Sequence, residues 1–483
     1  MPNTLKAEYT KGNIVATMLK TSIAMLASTI AVSGYNVADT FFVGQLRGAE
    51  PLAAMGFTFP VVMLFGCIFM GIGAGCMATI GQAVGRGDRR ETSNLVSAGM
   101  LLVIIIAVAL ALIGVFTADF AFGAMGAHGP ILALVKSYMN IWFLGCVTMG
   151  ISNEGNKILI AMGRPRSSSA MTMLGMLINV VLDPLLIFGG ARCGNALIAR
   201  SPSCLGWLAH SMAGLMAPLP ECGIRGAAIA TVLSQAVAAV VIIVLLLRLH
   251  VLELERIPIA TLLSTWKKIV TYAIPATLGS ILMPVSNYVT TWTTASFGTT
   301  VVAAVAAGGK LEILAWMYPM SFGISIMPVI SQNYGARLYS RVRRCFNFSV
   351  LVATIYLCFA SAIIMTFPHK FVIYFSTEPE VQELMVTYMR IIPWGFVLLE
   401  LTRYCGNALT GCGHPNMDAA LKVFRMAIVL IPLSVLTRQF HWLPGIFYSR
   451  LASDVLGGVA SLCITYYYLH KLPKQDGLPD RKE

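Results

Sequence analysis

Apolar runs long enough to cross a bilayer recur through the whole chain, and this feature leaves few folds open. About 20 apolar residues span the hydrocarbon core as an α-helix. In lipid, every backbone N–H and C=O must find its partner inside the protein, so helices or closed barrels are the only solutions. The runs fall near residues 14–38, 52–80, 93–117, 131–155, 170–190, 223–247, 268–296, 304–330, 346–367, 381–405, 419–437 and 445–469. They predict an all-α polytopic membrane protein with twelve transmembrane helices. With only 11% of residues charged, little remains to build a sizeable soluble domain. The polar start, Met1 to Lys11, precedes a run that outlasts a signal-peptide core and lacks a small-residue cleavage site, so the first helix is expected to stay.

The net charge of +13 is distributed as the positive-inside rule requires, not as a nucleic-acid surface. Arg86, Arg89 and Arg90 follow run two, Arg164 and Arg166 follow four, and Arg248, Arg256, Lys267 and Lys268 follow six. Arg337, Arg341, Arg343 and Arg344 follow run eight, and Lys422 and Arg425 follow ten. Lys6, Lys11, Lys471, Lys474, Arg481 and Lys482 make both tails basic, while Arg47, Arg192, Arg200 and Lys370 are scattered on the other side. The expected location is the cell (inner or plasma) membrane, with both termini cytoplasmic and the bilayer, not nucleic acid, as partner.

An internal repeat organises the runs. Gln82-Ala83-Val84-Gly85-Arg86 after run two matches Gln332-Asn333-Tyr334-Gly335-Ala336 after run eight, 250 positions on. Leu159 to Pro165 matches Leu409 to Pro415 at the same offset, and Gly223-Ile224 matches Gly445-Ile446 at 222, because a longer loop lies around 190–222. Two parallel six-helix halves related by an axis along the membrane normal are a transporter architecture. The expected boundaries are a tail at 1–13, a first lobe at 14–247, a connector at 248–267, a second lobe at 268–469 and a tail at 470–483.

Two carboxylates stand out against this background. Asp39 lies at the end of the first run, in Tyr35-Asn36-Val37-Ala38-Asp39, where membrane depth costs a carboxylate about 2.5–3.5 kcal/mol unless it faces a protein interior. The alternative is a residue just clear of the membrane that caps the helix. Asp183 lies in the fifth run, one turn beyond Asn179 on the same face, with Pro184 freeing a backbone carbonyl nearby. Val181-Leu182-Asp183-Pro184-Leu185 aligns with Val429-Leu430-Ile431-Pro432-Leu433, and Asn36 through Asp39 align roughly with Asn287 through Thr290. The acidic pair therefore belongs to the first half alone and reads as an ion site. Burial makes such a pair a place for a proton; Asp39, Asp183, Asn36, Asn179 and freed carbonyls are also oxygen ligands that Na+ prefers.

Tyr35 to Gly44, the Gln82–Asp88 loop, Asn179 to Phe188, Gly226-Ala227-Ala228-Ile229-Ala230-Thr231 and Gln332 to Ala336 together resemble the multidrug and toxic compound extrusion (MATE) family, within it the DinF-like branch. The similarity covers about residues 13–470. It implies a V-shaped twelve-helix antiporter, two bundles of six, exporting cationic or amphipathic organic compounds in exchange for H+ or Na+. It also implies that Asp39 and Asp183 are the functional carboxylates, with Asn179 beside them. A flippase for a lipid-linked precursor, from the wider superfamily, is the alternative; it would call for a strongly cationic cavity. Lys310 and Glu312 match a basic-x-acidic pattern common in the family and read as a gating element or an ion pair. Glu400 and Arg403, one turn apart, read as a pair, although the sodium-coupled branch bears a carboxylate in this part of helix ten. Glu154 and Asp454 read as structural, and Tyr35, Tyr138 and Asn153 as cavity lining. The 190–222 loop, with Cys193, Cys204 and Cys222, is longer than the family pattern, and one disulfide there is an open possibility.

Several chemistries drop out. No Gly-x-x-x-x-Gly-Lys-Ser/Thr loop is present for ATP, and neither His-Glu-x-x-His nor Gly-x-Ser-x-Gly appears. An enzyme is therefore not expected, and no cofactor or metal beyond the coupling H+ or Na+. The eleven cysteines form no Cys-x-x-Cys pair and mostly sit in apolar runs as small core residues. The 26 methionines suit a pliable binding surface or helix packing. A monomer is expected.

Overall fold

The computed structural model describes residues 7–46, 48–193, 195, 216, 218, 220–253 and 257–477, with the side chain of Asn36 excepted. Arg47, Arg200, Cys204, Arg256, Arg481 and Lys482 lie outside the described residues. The first half contains α1 (Ile14–Gly44), α2 (Glu50–Arg86), α3 (Arg89–Ala124), α4 (Gly129–Leu144), α5 (Cys146–Ala161), α6 (Pro165–Phe188) and α7 (Ile224–Arg248). The second half contains α8 (Ile259–Ala295), α9 (Thr299–Gly335), α10 (Tyr339–Thr366), the short α11 (Pro368–Val372), α12 (Pro379–Ile391), α13 (Phe396–Gly411), α14 (Pro415–Val423), α15 (Ile431–Gln439) and α16 (Gly445–Lys471).

Ten helical stretches are long and apolar enough to cross a membrane, and α4 with α5, bent by 51° between them, makes an eleventh. In α16 the length suffices at 27 residues, but Arg450, Asp454 and Tyr466 to Tyr468 dilute its hydropathy. The two broken spans break at matching places. Gly145 separates α4 from α5, and a 3-10 turn, Ile392–Gly395 around Pro393, separates α12 from α13. The sequence reading treated both as continuous runs.

Helix ends also differ from the expected spans, for physical reasons. Hydropathy sees only the lipid-crossing part, whereas α2 runs on to Arg86 and α9 to Gly335 because their last turns are buried between the halves. The connector at 248–267 is half helical, since α8 starts at Ile259. Its first turns are held on α3, where Trp266 Nε1 donates to Ala98 O at 2.9 Å and Lys268 pairs with Glu91. Asn13 begins α1 by accepting from the Val15 amide at 2.9 Å, and Asp88 begins α3 by accepting from the Glu91 amide at 2.9 Å.

The halves meet where α2 packs along α8 and α9, and where α1 packs on α9. One apolar core fills the first half and recruits Ile269, Ala273 and Met327 from the second. Two further cores fill the second half, one around Phe322, Phe346 and Tyr404, the other around Leu311, Met385 and Phe447. Both described chain ends dock on the same face. Arg341 Nη1 donates to Gly12 O at 3.1 Å, Arg343 Nη2 to Pro473 O at 2.9 Å, and the Gly477 amide to Arg337 O at 3.0 Å.

The register between α6 and α7 depends on Gly226. A Cβ there would lie 2.3 Å from Leu186 O, so backbone meets backbone at the Asp183 end of α6. Gly226→Ala is expected to force α6 outward and cost about 1–3 kcal/mol, the usual penalty for overpacking. Thermal unfolding of the purified protein checks this; an unchanged midpoint would refute the packing.

Candidate functional site

Three buried polar side chains converge in the first half. Asp39 on α1 is 6% exposed, and Asn179 and Asp183 on α6 are fully buried. Their placement follows from helix geometry: residues four apart on α6 share a face, and Asn179 Nδ2 donates to Asp183 Oδ1 at 3.2 Å. The charge of Asp39 acts on Asp183, and both act on the hydroxyls of Tyr35 and Tyr138, so these four side chains lie near one another. Tyr35 is itself held by Thr231 of α7, hydroxyl to hydroxyl at 3.1 Å. Asp39 Oδ1, Asn179 Oδ1 and Asp183 Oδ2 are buried without a hydrogen-bond partner. The side chain of Asn36 lies outside the described residues, and Asn153 is exposed on α5.

The buried acids divide by half. In the second half, Glu400 pairs with Arg403 at 2.7 Å, Asp418 with Lys422 at 2.8 Å and Asp454 with Arg425 at 2.6 Å. In the first half, Asp39, Asp183 and Glu154 are equally buried, yet among the described residues no cation is in ion-pair contact with any of them. Lys157, one turn beyond Glu154, acts on it electrostatically but makes no such contact, and the Cys76 thiol of α2 faces the Glu154 carboxylate. A buried charge costs several kcal/mol unless it is paired and hydrogen-bonded. The three second-half acids each have a cation in ion-pair contact; among the described residues the three first-half acids have none. No cluster of three or more His, Cys, Asp or Glu suited to a metal occurs among the described residues.

One sequence reading needs correction. Lys310 and Glu312 do not pair with each other, because residues two apart on a helix point to different sides. Lys310 is exposed, whereas Glu312 pairs with Arg450 of α16 at 2.6 Å and accepts a hydrogen bond from Tyr388 OH. Arg450 and Arg425 were not singled out from sequence. The i, i+4 spacing of Arg450 and Asp454 was the available signal, and the two approach to 4.0 Å. Glu400 and Arg403 do pair, and the Arg403 guanidinium also lies over the Trp316 ring at 5.0 Å. Cys193 and Cys222 are free thiols among the described residues, and Cys204 lies outside them.

On the first half lies an open, shallow apolar groove of about 590 Å³, bordered by the second half at Met317. Ile30, Val37 and Phe41 of α1, Val180 of α6 and Met317 of α9 line it. Below it, Ser321 Oγ of α9 donates to Thr29 Oγ1 of α1 at 2.9 Å and ties the halves together.

Twelve helices in two bundles, with buried acids in one that have no ion-pair partner among the described residues, are the architecture of a membrane transporter. A family model described as MatE matches residues 24–185 and again residues 275–436, so the match itself repeats across the two halves. The chain belongs to this family, the MATE transporters, and has their V-shaped twelve-helix fold. It is 29% identical over 453 residues to a FAD transporter of Shewanella oneidensis, covering 94% of this chain and 93% of that one. To the multidrug export protein MepA of Staphylococcus saprophyticus it is 22% identical over 470 residues, 96% of each chain. A mutant of the Vibrio cholerae MATE transporter VcmN has the same fold, with TM-score 0.83 and 21% identity, covering 94% of this chain and 97% of that one.

The contrast between halves yields a stability prediction. Arg450→Met strands Glu312 and should destabilise the protein by about 3–5 kcal/mol. Asp183→Asn removes an uncompensated charge and should leave the unfolding midpoint unchanged or raised. Chemical or thermal denaturation of both variants in one detergent decides it, and a lowered midpoint for Asp183→Asn would contradict the contrast.

Proposed function

We propose that the protein exports cationic or amphipathic organic compounds in exchange for H+ or Na+. In this reading Asp39 and Asp183 are the coupling carboxylates, with Asn179 and Asn36 beside them. The observation that carries it is that, among the described residues, neither Asp39 nor Asp183 has a cation in ion-pair contact, whereas Glu400, Asp418 and Asp454 of the other half each do. A proton or Na+ that neutralises the pair removes the cost of uncompensated charge, and a cationic substrate nearby does the same. The two therefore compete for one site. When that site faces one side of the membrane at a time, competition becomes exchange. Linkage requires that substrate weaken ion binding by the factor by which the ion weakens substrate binding. The groove lined by Phe41, Val37 and Met317 suits an amphipath's apolar part. Glu312 and Glu400, already paired, act here as structural groups. The protein works as a monomer in the cell membrane with its basic termini in the cytoplasm.

A second reading concerns cargo. The higher identity to a FAD transporter than to a multidrug exporter favours an anionic flavin nucleotide. Exposed Lys310, and the Arg403–Trp316 and Arg438–Trp292 stacks at 5.0 and 4.1 Å, are groups suited to phosphate and to a flat ring system. A lipid-linked precursor is disfavoured, because the named residues of the first-half site are acidic or neutral.

Inside-out vesicles given a fluorescent cationic dye or FAD, with an imposed H+ or Na+ gradient, test these readings. Gradient-driven uptake is expected to vanish in Asp39→Asn and Asp183→Asn and to survive better in Asp454→Asn. Undiminished uptake by well-expressed Asp183→Asn protein would refute the site, and uptake of FAD without dye would select the second cargo. For orientation, a protease site added after Glu483 should be cut in inside-out vesicles and protected in intact cells; cleavage from outside would reverse it.

A further inference from the structure

The repeated Gln-x-x-Gly motifs that revealed the two halves are buried against each other. Gln82 of α2 is 5% exposed, and Gln332 and Asn333 of α9 are fully buried. Each glutamine reaches across to the other half. Gln82 Nε2 donates to Gly411 O at 3.0 Å, and Gln332 Nε2 donates to Ala161 O at 2.7 Å. Gly411 is the last residue of α13 and Ala161 the last residue of α5, which are helices at matching positions of the repeat. The last four carbonyls of an α-helix lack intrahelical partners, and they carry the negative end of its dipole. An amide donor from the opposite half therefore satisfies a group that would otherwise need water. The backbones are equally reciprocal. A Cβ on Gly85 would lie 2.0 Å from Gln332 O, and one on Gly335 would lie 2.1 Å from Gln82 O. Only glycine allows both glutamines to sit this deep.

A strap from the chain's start is threaded into one side of this seam. The Tyr9 amide donates to Gln332 Oε1 at 3.1 Å, and Tyr9 O accepts from Asn333 Nδ2 at 3.1 Å and Arg341 Nη2 at 3.3 Å. The Tyr9 hydroxyl donates to Ile160 O of the first half at 3.4 Å, and the residue is 3% exposed. Tyr9 thus bonds both halves at once, on the face where both described chain ends dock.

We propose that Gln82 and Gln332 form a two-fold latch that closes the cleft at the terminus-bearing face, with Tyr9 as its bolt. When the halves part, water replaces each amide at the freed helix ends, so the latch opens without stranding a polar group. Deletion of either donor shifts the protein toward the state open on that face. The proposal presupposes alternating access, but its test uses neither substrate nor gradient, so it stands or falls apart from the transport reading.

Amide hydrogen exchange of the full chain in lipid nanodiscs reads the latch directly, in peptides covering residues 7–12, 158–164 and 409–414. Gln332→Glu is nearly isosteric and keeps the acceptor for the Tyr9 amide, but loses the donor to Ala161. Exchange in the three peptides should rise about fivefold in Gln332→Glu and in Gln82→Glu, the effect of one ordinary hydrogen bond. In the double variant the two effects should multiply to about twentyfold or more. Peptides inside α3 and α10 serve as the folding control and should not change. Unchanged exchange at the seam would overturn the latch, as would acceleration spread equally over α3 and α10.

Discussion

In a membrane interior a polar group has no water to fall back on, and nearly everything in this structure follows from how that demand is met. Backbone groups meet it through helices. Side chains meet it inside the two bundles, where Asp418 finds Lys422 and Asp454 finds Arg425 within 2.8 Å. Against that pattern, Asp39, Asp183 and Glu154 of the first half have no cation in ion-pair contact among the described residues. An unsatisfied buried carboxylate is expensive, which is why Asp39 and Asp183 read as sites that something else must complete.

The duplication explains how one half came to differ from the other. Matching elements recur in both: the breaks at Gly145 and Ile392–Gly395, the glutamines at 82 and 332, the prolines at 184 and 432. The first half has Asp183 where the second has Ile431, and Glu154 where the second, by the offset of 250 that relates the two glutamines, has Tyr404. The Tyr404 hydroxyl donates to Pro319 O at 2.8 Å, whereas the buried Glu154 carboxylate has no cation in ion-pair contact among the described residues. The scaffold is shared, and the unpaired buried aspartates fall in one copy of it among the described residues.

The seam between halves has a different character from the bundles. It is polar and close-packed at the terminus-bearing face, through Gln82, Gln332 and Tyr9, and apolar where Val37, Phe41 and Met317 line the groove. Hydrogen bonds that water can replace suit a surface that must open. An apolar groove suits a cargo held by area and not by fixed polar contacts.

Much of this was legible in the sequence, because a membrane helix announces itself by length and hydropathy alone. The twelve spans, the two-fold repeat and the exceptional position of Asp39 and Asp183 all come from local pattern. Helix ends were not legible in the same way: α2 extends to Arg86 and α8 begins at Ile259, because burial against another helix, not hydropathy, decides those turns. Pairing was legible only within a helix, as for Glu400 with Arg403 or Asn179 with Asp183, where spacing sets the contact. That Glu312 meets Arg450 and not Lys310, that Gln82 reaches Gly411, and that Asp39 has no cation in ion-pair contact among the described residues were decided by tertiary structure. Each depends on how separate helices pack in three dimensions, which no periodicity along a single chain encodes.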